Sequence, residues 1–170
     1  MHIEISNILL LRSLKISDAH SIVKYANNIN VWKNLTDMFP HPYYRSDAIW
    51  FINSQKDVIP AKVLAIIYKN ELIGTIGIET TKCENIVDIG YWIGEPFWNK
   101  GIVSSIIQPF YEYCFNTFYA IETIIGKVYP ENIASAKVLK KCNFKKGEYL
   151  NNAIIKDGKQ KDFQTFKLYK

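Results

Sequence analysis

The stretch from Asp88 to Phe118 constrains the fold most. It reads Asp88-Ile89-Gly90-Tyr91-Trp92-Ile93-Gly94-Glu95-Pro96-Phe97-Trp98-Asn99-Lys100-Gly101-Ile102-Val103 and then becomes an apolar pattern of helical period. An extended run leads into a short turn marked by Pro96 and Gly101, and a helix starts directly after it. Ile102, Val103, Ile106, Ile107, Phe110, Tyr111, Cys114, Phe115 and Phe118 recur at three- and four-residue spacing, which makes one face strongly apolar. Pro109 within this helix predicts a kink or break. Such a turn exposes backbone N–H groups beside a helix N-terminus, where partial positive charge favours phosphate. The residues alone leave two readings open: a site for a diphosphate-bearing cofactor, and a plain strand–turn–helix connection.

The chain of 170 residues suits one domain with one core, spanning 1–170. Hydrophobic residues make up 48% and charged residues 22%, a balance that excludes disorder. No apolar run approaches the ~18–20 residues of a membrane span, and Met1-His2-Ile3-Glu4 lacks a basic n-region followed by an apolar h-region, so no signal peptide is expected. A net charge of +5 is spread along the chain. No Arg-rich stripe points to nucleic acid, and a basic rim attracting a polyanionic cofactor is as good a reading of the charge. Cys83, Cys114 and Cys142 form no CxxC pair, so reduced thiols in a cytoplasmic protein are expected. His2, His20 and His41 lie far apart without ligand spacing, so no metal site is expected.

Taken in order, Ile8 to Leu14 reads as the first strand. Ser17-Asp18 caps a helix to about Asn27, with Ala19, Ile22, Val23 and Ala26 on its apolar face. A short helical piece covers Val31 to Leu35. Pro40 and Pro42 keep Asp37 to Tyr44 irregular, and its aromatics fit either a loop packed on the core or a wall of an acceptor pocket. Ser46 or Asp47 caps a helix to about Gln55, with Ile49, Trp50 and Ile52 expected to be buried. Strands follow at 62–68, 72–81 and 86–93, as a meander. The strand at 123–128 closes a βαβ crossover, so it should run parallel to 86–93. Pro130-Glu131-Asn132 starts another helix, with Ala134, Val138, Leu139 and Cys142 as its expected buried side. Asn143 ends it, since Asn tolerates the left-handed conformation found there. Extended chain to Ile155, a hairpin turn at Asp157-Gly158 and a last strand from Gln160 to Tyr169 complete the chain. The class is therefore α/β (α+β), with a mixed, mostly antiparallel sheet of about seven strands flanked by helices. The hydrophobic last strand, taken as an edge, offers a route to a homodimer.

Two segments together resemble the GNAT N-acetyltransferase superfamily, in its RimJ/RimL-type branch. They are Gly90 to Ile102, as quoted above, and Pro130-Glu131-Asn132-Ile133-Ala134-Ser135-Ala136-Lys137-Val138-Leu139-Lys140-Lys141-Cys142-Asn143-Phe144. The order of elements matches the family over nearly the whole chain. The resemblance implies acetyl-CoA as cosubstrate, with pantetheine lying in a cleft where the central parallel pair splays apart. It places main-chain contacts at Tyr91, Trp92 and Ile93 and a pyrophosphate loop at Trp98, Asn99, Lys100, Gly101, Ile102 and Val103. Asn99 and Val103 depart from the family pattern, which has Gly, and Gly or Ala, at those positions. Asn132 matches the family's pantetheine contact, and its alternative role is a helix N-cap. Ser135 matches the branch's Ser near the CoA sulfur. The tyrosine acid used elsewhere in the superfamily would fall at Leu139.

The implied reaction is attack of a primary amine, from a protein N-terminus or a small molecule, on the acetyl thioester within a ternary complex. An alkylamine with a pKa near ~10.4 must first lose a proton. Asp88 falls where other members of the superfamily carry a catalytic Glu; a structural Asp and an amine anchor are the alternatives. Asp88, Gly90 and Trp92 should share a face if the strand is regular. Glu79, Glu148 and His41 are weaker candidates for the base. The alternative function is a non-catalytic GNAT-fold module that binds CoA without turnover.

Overall fold

The computed structural model describes residues 1–170. In chain order its strands are β1 (His2–Ser6), β2 (Leu9–Arg12), β3 (Val63–Tyr68), β4 (Glu71–Thr80), β5 (Ile86–Ile93), β6 (Thr123–Val128), β7 (Lys145–Lys156) and β8 (Lys159–Tyr169). The α-helices are α1 (Ala19–Ala26), α2 (Ile29–Trp32), α3 (Arg45–Lys56), α4 (Ile102–Thr117) and α5 (Ile133–Lys141). The strands form one eight-stranded mixed sheet in the order β1-β2-β3-β4-β5-β6-β8-β7. None of the helices is long and apolar enough to cross a membrane. Packing divides the chain into two compact units: Met1–Gly77 with Tyr91–Ile106, and Ile78–Gly90 with Ile107–Lys170.

In the first unit, β1, β2, β3 and β4 pair antiparallel in sequence. Leu11, Ile22, Leu64, Ile66, Ile73, Ile76 and Ile106 are fully buried, and each contributes ~1.5–3 kcal/mol through burial. β1 is an element that the sequence reading lacks. It is a short, half-exposed edge whose side chains carry little periodic signal. The capping role expected of Asp18 is corrected. Asp18 stands at the N-cap of α1 but its side chain makes no bond to that helix; it accepts the Lys15 N–H, which closes the capping box of the preceding helical turn, and a two-pronged bond from Arg12 at 2.8 Å to each oxygen. Trp50 is also corrected. It is 71% exposed, while α3 buries Ala48 and, as expected, Ile52.

In the second unit, β5 and β6 are parallel, as the crossover required, with Ile86↔Thr123 through Ile89↔Gly126 in register. The ladder stops there, although β5 continues to Ile93 and β6 to Val128. β8 pairs antiparallel with both β6 and β7. The last strand is therefore interior, which corrects its reading as a free edge; that edge belongs to β7. β7 carries two register irregularities and a lysine-rich sequence, both of which blunt an edge against pairing. Its hairpin turn has Asp157 at φ 51° and Gly158 at φ 70°, the conformations that an Asp-Gly turn supplies. The expected break at Pro109 does not occur, for α4 is continuous over its 16 residues. Of the expected buried face of α5, Leu139 and Cys142 are buried and Ala134 is exposed.

Candidate active site

The first unit holds the end of β5 and the turn into α4. Alternation of burial along β5 fails there. Val87 and Ile89 are buried, then Trp92 and Ile93 are both buried, so the regular face expected for Asp88, Gly90 and Trp92 is lost. β4 approaches this strand end very closely. A Cβ on Gly74 would collide with the carbonyl oxygen of Trp92 and lie 2.8 Å from the Cα of Ile93. Gly94 N–H donates to the carbonyl of Ile73 at 2.8 Å, and Gly94 itself lies against the ring of Tyr25.

Trp98 folds back over the turn, and its indole N–H donates to the carbonyl of Ile93 at 2.8 Å. Phe97 packs edge-on against Tyr25 at 5.2 Å, with the Lys100 ammonium 5.7 Å from its ring. Asn99 lies at φ 60° and Gly101 at φ 74°, both in the left-handed region. Asn is the non-glycine residue that tolerates this region best, so Asn99 takes a conformation that glycine would also supply. The first helical hydrogen bond of α4 runs from Ser105 N–H to the Gly101 carbonyl at 3.1 Å. The N–H groups of Ile102 and Val103 precede it and have no acceptor within the helix. Trp98 to Val103 thus leads into the positive end of a helix whose first N–H groups lack a helical acceptor, an arrangement that fits a diphosphate.

Sequence reasoning missed the carboxylate of Glu95. One oxygen accepts from Asn28 Nδ2 at 2.7 Å and the other from Asn30 Nδ2 at 3.0 Å. Those two bonds hold its pKa below the ordinary Glu value. Asn28 and Asn30 lie at the start of the short helix α2, and a partner more than sixty positions away leaves no local signal in the sequence. Asn27 Oδ1 in turn accepts from Tyr43 N–H at 3.2 Å. The irregular loop before α3 lies against the strand end through Phe39, 5.6 Å from Trp92, and His41 is 5.5 Å from Trp32.

The second unit holds the other candidates. Asn132 is the N-cap of α5, with Oδ1 accepting from Ser135 N–H at 3.1 Å. Its Nδ2 group is the part of the side chain left for a ligand. Ser135 is half-buried one turn into the helix. Leu139 is only 1% exposed and packs on Gly126 of β6, where a Cβ would stand 2.6 Å from its Cδ1. Position 139 is therefore sealed core. Asp88 is ion-paired with Lys127 through Oδ2, while Oδ1 is buried without a hydrogen-bond partner. Among the weaker bases, Glu148 is paired with Lys167 at 3.0 Å and Glu79 is exposed.

Comparison with known proteins gives matches along most of the chain. The family model described as an acetyltransferase (GNAT) domain matches residues 9–145. An uncharacterized N-acetyltransferase, p20 of Bacillus licheniformis, is 33% identical over 167 residues, covering 95% of this chain and 93% of the relative. Among solved structures, the microcin C7 self-immunity acetyltransferase MccE, in complex with acetyl-CoA and AMP, superposes with a TM-score of 0.84. It is 25% identical, covering 98% of this chain and 94% of that one. RimL, a ribosomal L7/L12 alpha-N-protein acetyltransferase in complex with coenzyme A, superposes with a TM-score of 0.85. It is 20% identical, covering 99% of this chain and 98% of that one.

Proposed function

The chain belongs to the GNAT acetyltransferase family, and on that premise we propose that residues 1–170 act as one domain that transfers the acetyl group of acetyl-CoA to a primary amine. The acceptor is a protein N-terminus or a small amine, attacking directly in a ternary complex. The observation that carries the reading is the turn into α4, where Asn99 and Gly101 take positive φ and the first helical bond, from Ser105 N–H to the Gly101 carbonyl, leaves the Ile102 and Val103 N–H groups without an acceptor in the helix. The MccE and RimL complexes with acetyl-CoA and coenzyme A support the same ligand here.

In this reading each group has a defined task. Trp98 to Val103 hold the diphosphate, the main chain of Tyr91, Trp92 and Ile93 aligns the pantetheine arm, and the Nδ2 group of Asn132 donates to it. Acetyl-CoA supplies an activated acyl group, so positioning and proton handling are what remain for the protein. The Ser135 hydroxyl donates to the departing thiolate. A backbone N–H at the end of β5 stabilises negative charge on the acyl oxygen. Asp88 accepts the amine proton only after yielding its bond with Lys127.

That last condition favours a second reading, a module that binds CoA without turnover, because the carboxylate best placed by sequence is already paired. Thiol release separates the two. The purified protein is given acetyl-CoA with a panel of peptide N-termini and small amines. Amine-dependent release supports the transferase; saturable acetyl-CoA binding with no release from any amine supports the module.

A further inference from the structure

A carboxylate a few residues before a diphosphate-binding loop repels the ligand, so Glu95 needs a reason to be acidic. Its surroundings supply one. Asn28 and Asn30 aim amide donors at its two oxygens, and each needs an acceptor. A glutamine in the same position would keep an oxygen for one of them and turn an NH2 group toward the other. The donors are themselves fixed. Asn28 Oδ1 accepts from the Asn30 N–H at 2.7 Å, and Lys33 Nζ donates to Asn30 Oδ1 at 2.8 Å. The lysine also offsets the negative charge.

We infer that Glu95 is a positioning residue that clamps the α1–α2 turn to the cofactor loop, setting the path of Trp98 to Val103 and, through Asn27, the irregular loop at 37–44. This rests on the reading of that loop as the acetyl-CoA diphosphate site. The clamp acts from one side while Tyr25 supports Phe97 and Gly94 from another. The Glu95 to Phe97 turn is only one helical turn long and lacks a side-chain cap, so it depends on such outside contacts. Because Asn27 Oδ1 holds Tyr43 N–H, the same clamp ties the loop that carries Phe39 to the strand end.

The test is a side-chain swap read by acetyl-CoA titration. Glu95→Gln leaves one asparagine facing a like donor, and Asn30→Asp sets two carboxylates against each other. Each single variant should weaken acetyl-CoA binding by about tenfold, the scale of a lost charge-assisted hydrogen bond. The double variant Glu95→Gln/Asn30→Asp restores donor to acceptor and should return binding to within about threefold of wild type, as coupled residues do. A lowered Tm with unchanged acetyl-CoA affinity in the singles would reduce Glu95 to a structural contact and overturn the inference. So would a double variant no better than its worse single. Wild-type protein that fails to bind acetyl-CoA overturns the underlying site reading instead, which makes the two failures distinguishable.

Discussion

The indole of Trp98 closes the turn between β5 and α4 by donating to the carbonyl of Ile93, five residues back, at 2.8 Å. Trp98→Phe keeps the ring but leaves that carbonyl without its donor. The expected cost is ~1–3 kcal/mol of stability. Because the turn carries the cofactor loop, acetyl-CoA affinity should fall with it. Denaturant titration and acetyl-CoA titration on the same variant check both, and an unchanged affinity would show that the loop is held without this bond.

Asn99 sits at φ 60°. Asn99→Gly should change stability by only a few tenths of a kcal/mol, whereas Asn99→Ala should cost ~1 kcal/mol, because a Cβ without a polar side chain is disfavoured there. Equal stability of the two variants would mean that the loop does not depend on a left-handed residue at this position.

The two roles of Asn132 can be separated. Asn132→Asp keeps an oxygen for the Ser135 N–H and loses the Nδ2 donor; Asn132→Ala loses both. The alanine variant should lose ~1 kcal/mol through the cap. Both variants should bind acetyl-CoA more weakly. Ser135→Ala should lower kcat with little change in acetyl-CoA affinity. Full affinity in Asn132→Asp would reduce this residue to a helix cap.

Much of the fold around the candidate site was legible from short-range chemistry. The spacing of Ile102, Ile106, Phe110 and Cys114 fixed α4, and strand–helix–strand order fixed the parallel pair. Asn143 lies at φ 68°, as a helix-ending Asn allows. The failures share a physical cause. Trp50 has an apolar side chain on a helix, yet which face is buried depends on what packs against it, and here it is solvent-facing. Pro109 removes one N–H, but the packed face of α4, with Ile106, Ile107 and Phe110 fully buried, outweighs that loss. The Glu95 clamp and the Asp88–Lys127 pair join distant positions, so neither leaves a local pattern.

Acid stability follows from four carboxylates held below their ordinary range: Glu71 by Lys24, Glu95 by Asn28 and Asn30, Glu131 by Lys161, and Asp162 by the Asn152 N–H and Tyr149. A carboxylate depressed on folding stabilises the fold above its ordinary pKa, and that contribution disappears as pH falls through the folded value. The ordinary values are 4.5 for Glu and 3.8 for Asp. The urea midpoint should therefore hold nearly level from neutrality down to about pH 5 and drop below it. A midpoint already falling between pH 7 and pH 5 would assign acid sensitivity to other groups.

The most direct measurement is calorimetric titration of the protein with acetyl-CoA, with dephospho-CoA as the control. Saturable binding with a Kd of about 1–100 μM, on the scale of ordinary substrate affinities, is the predicted result. Absence of binding would contradict the assignment of Trp98 to Val103 as the diphosphate site and, with it, the acetyl-transfer reading of this chain.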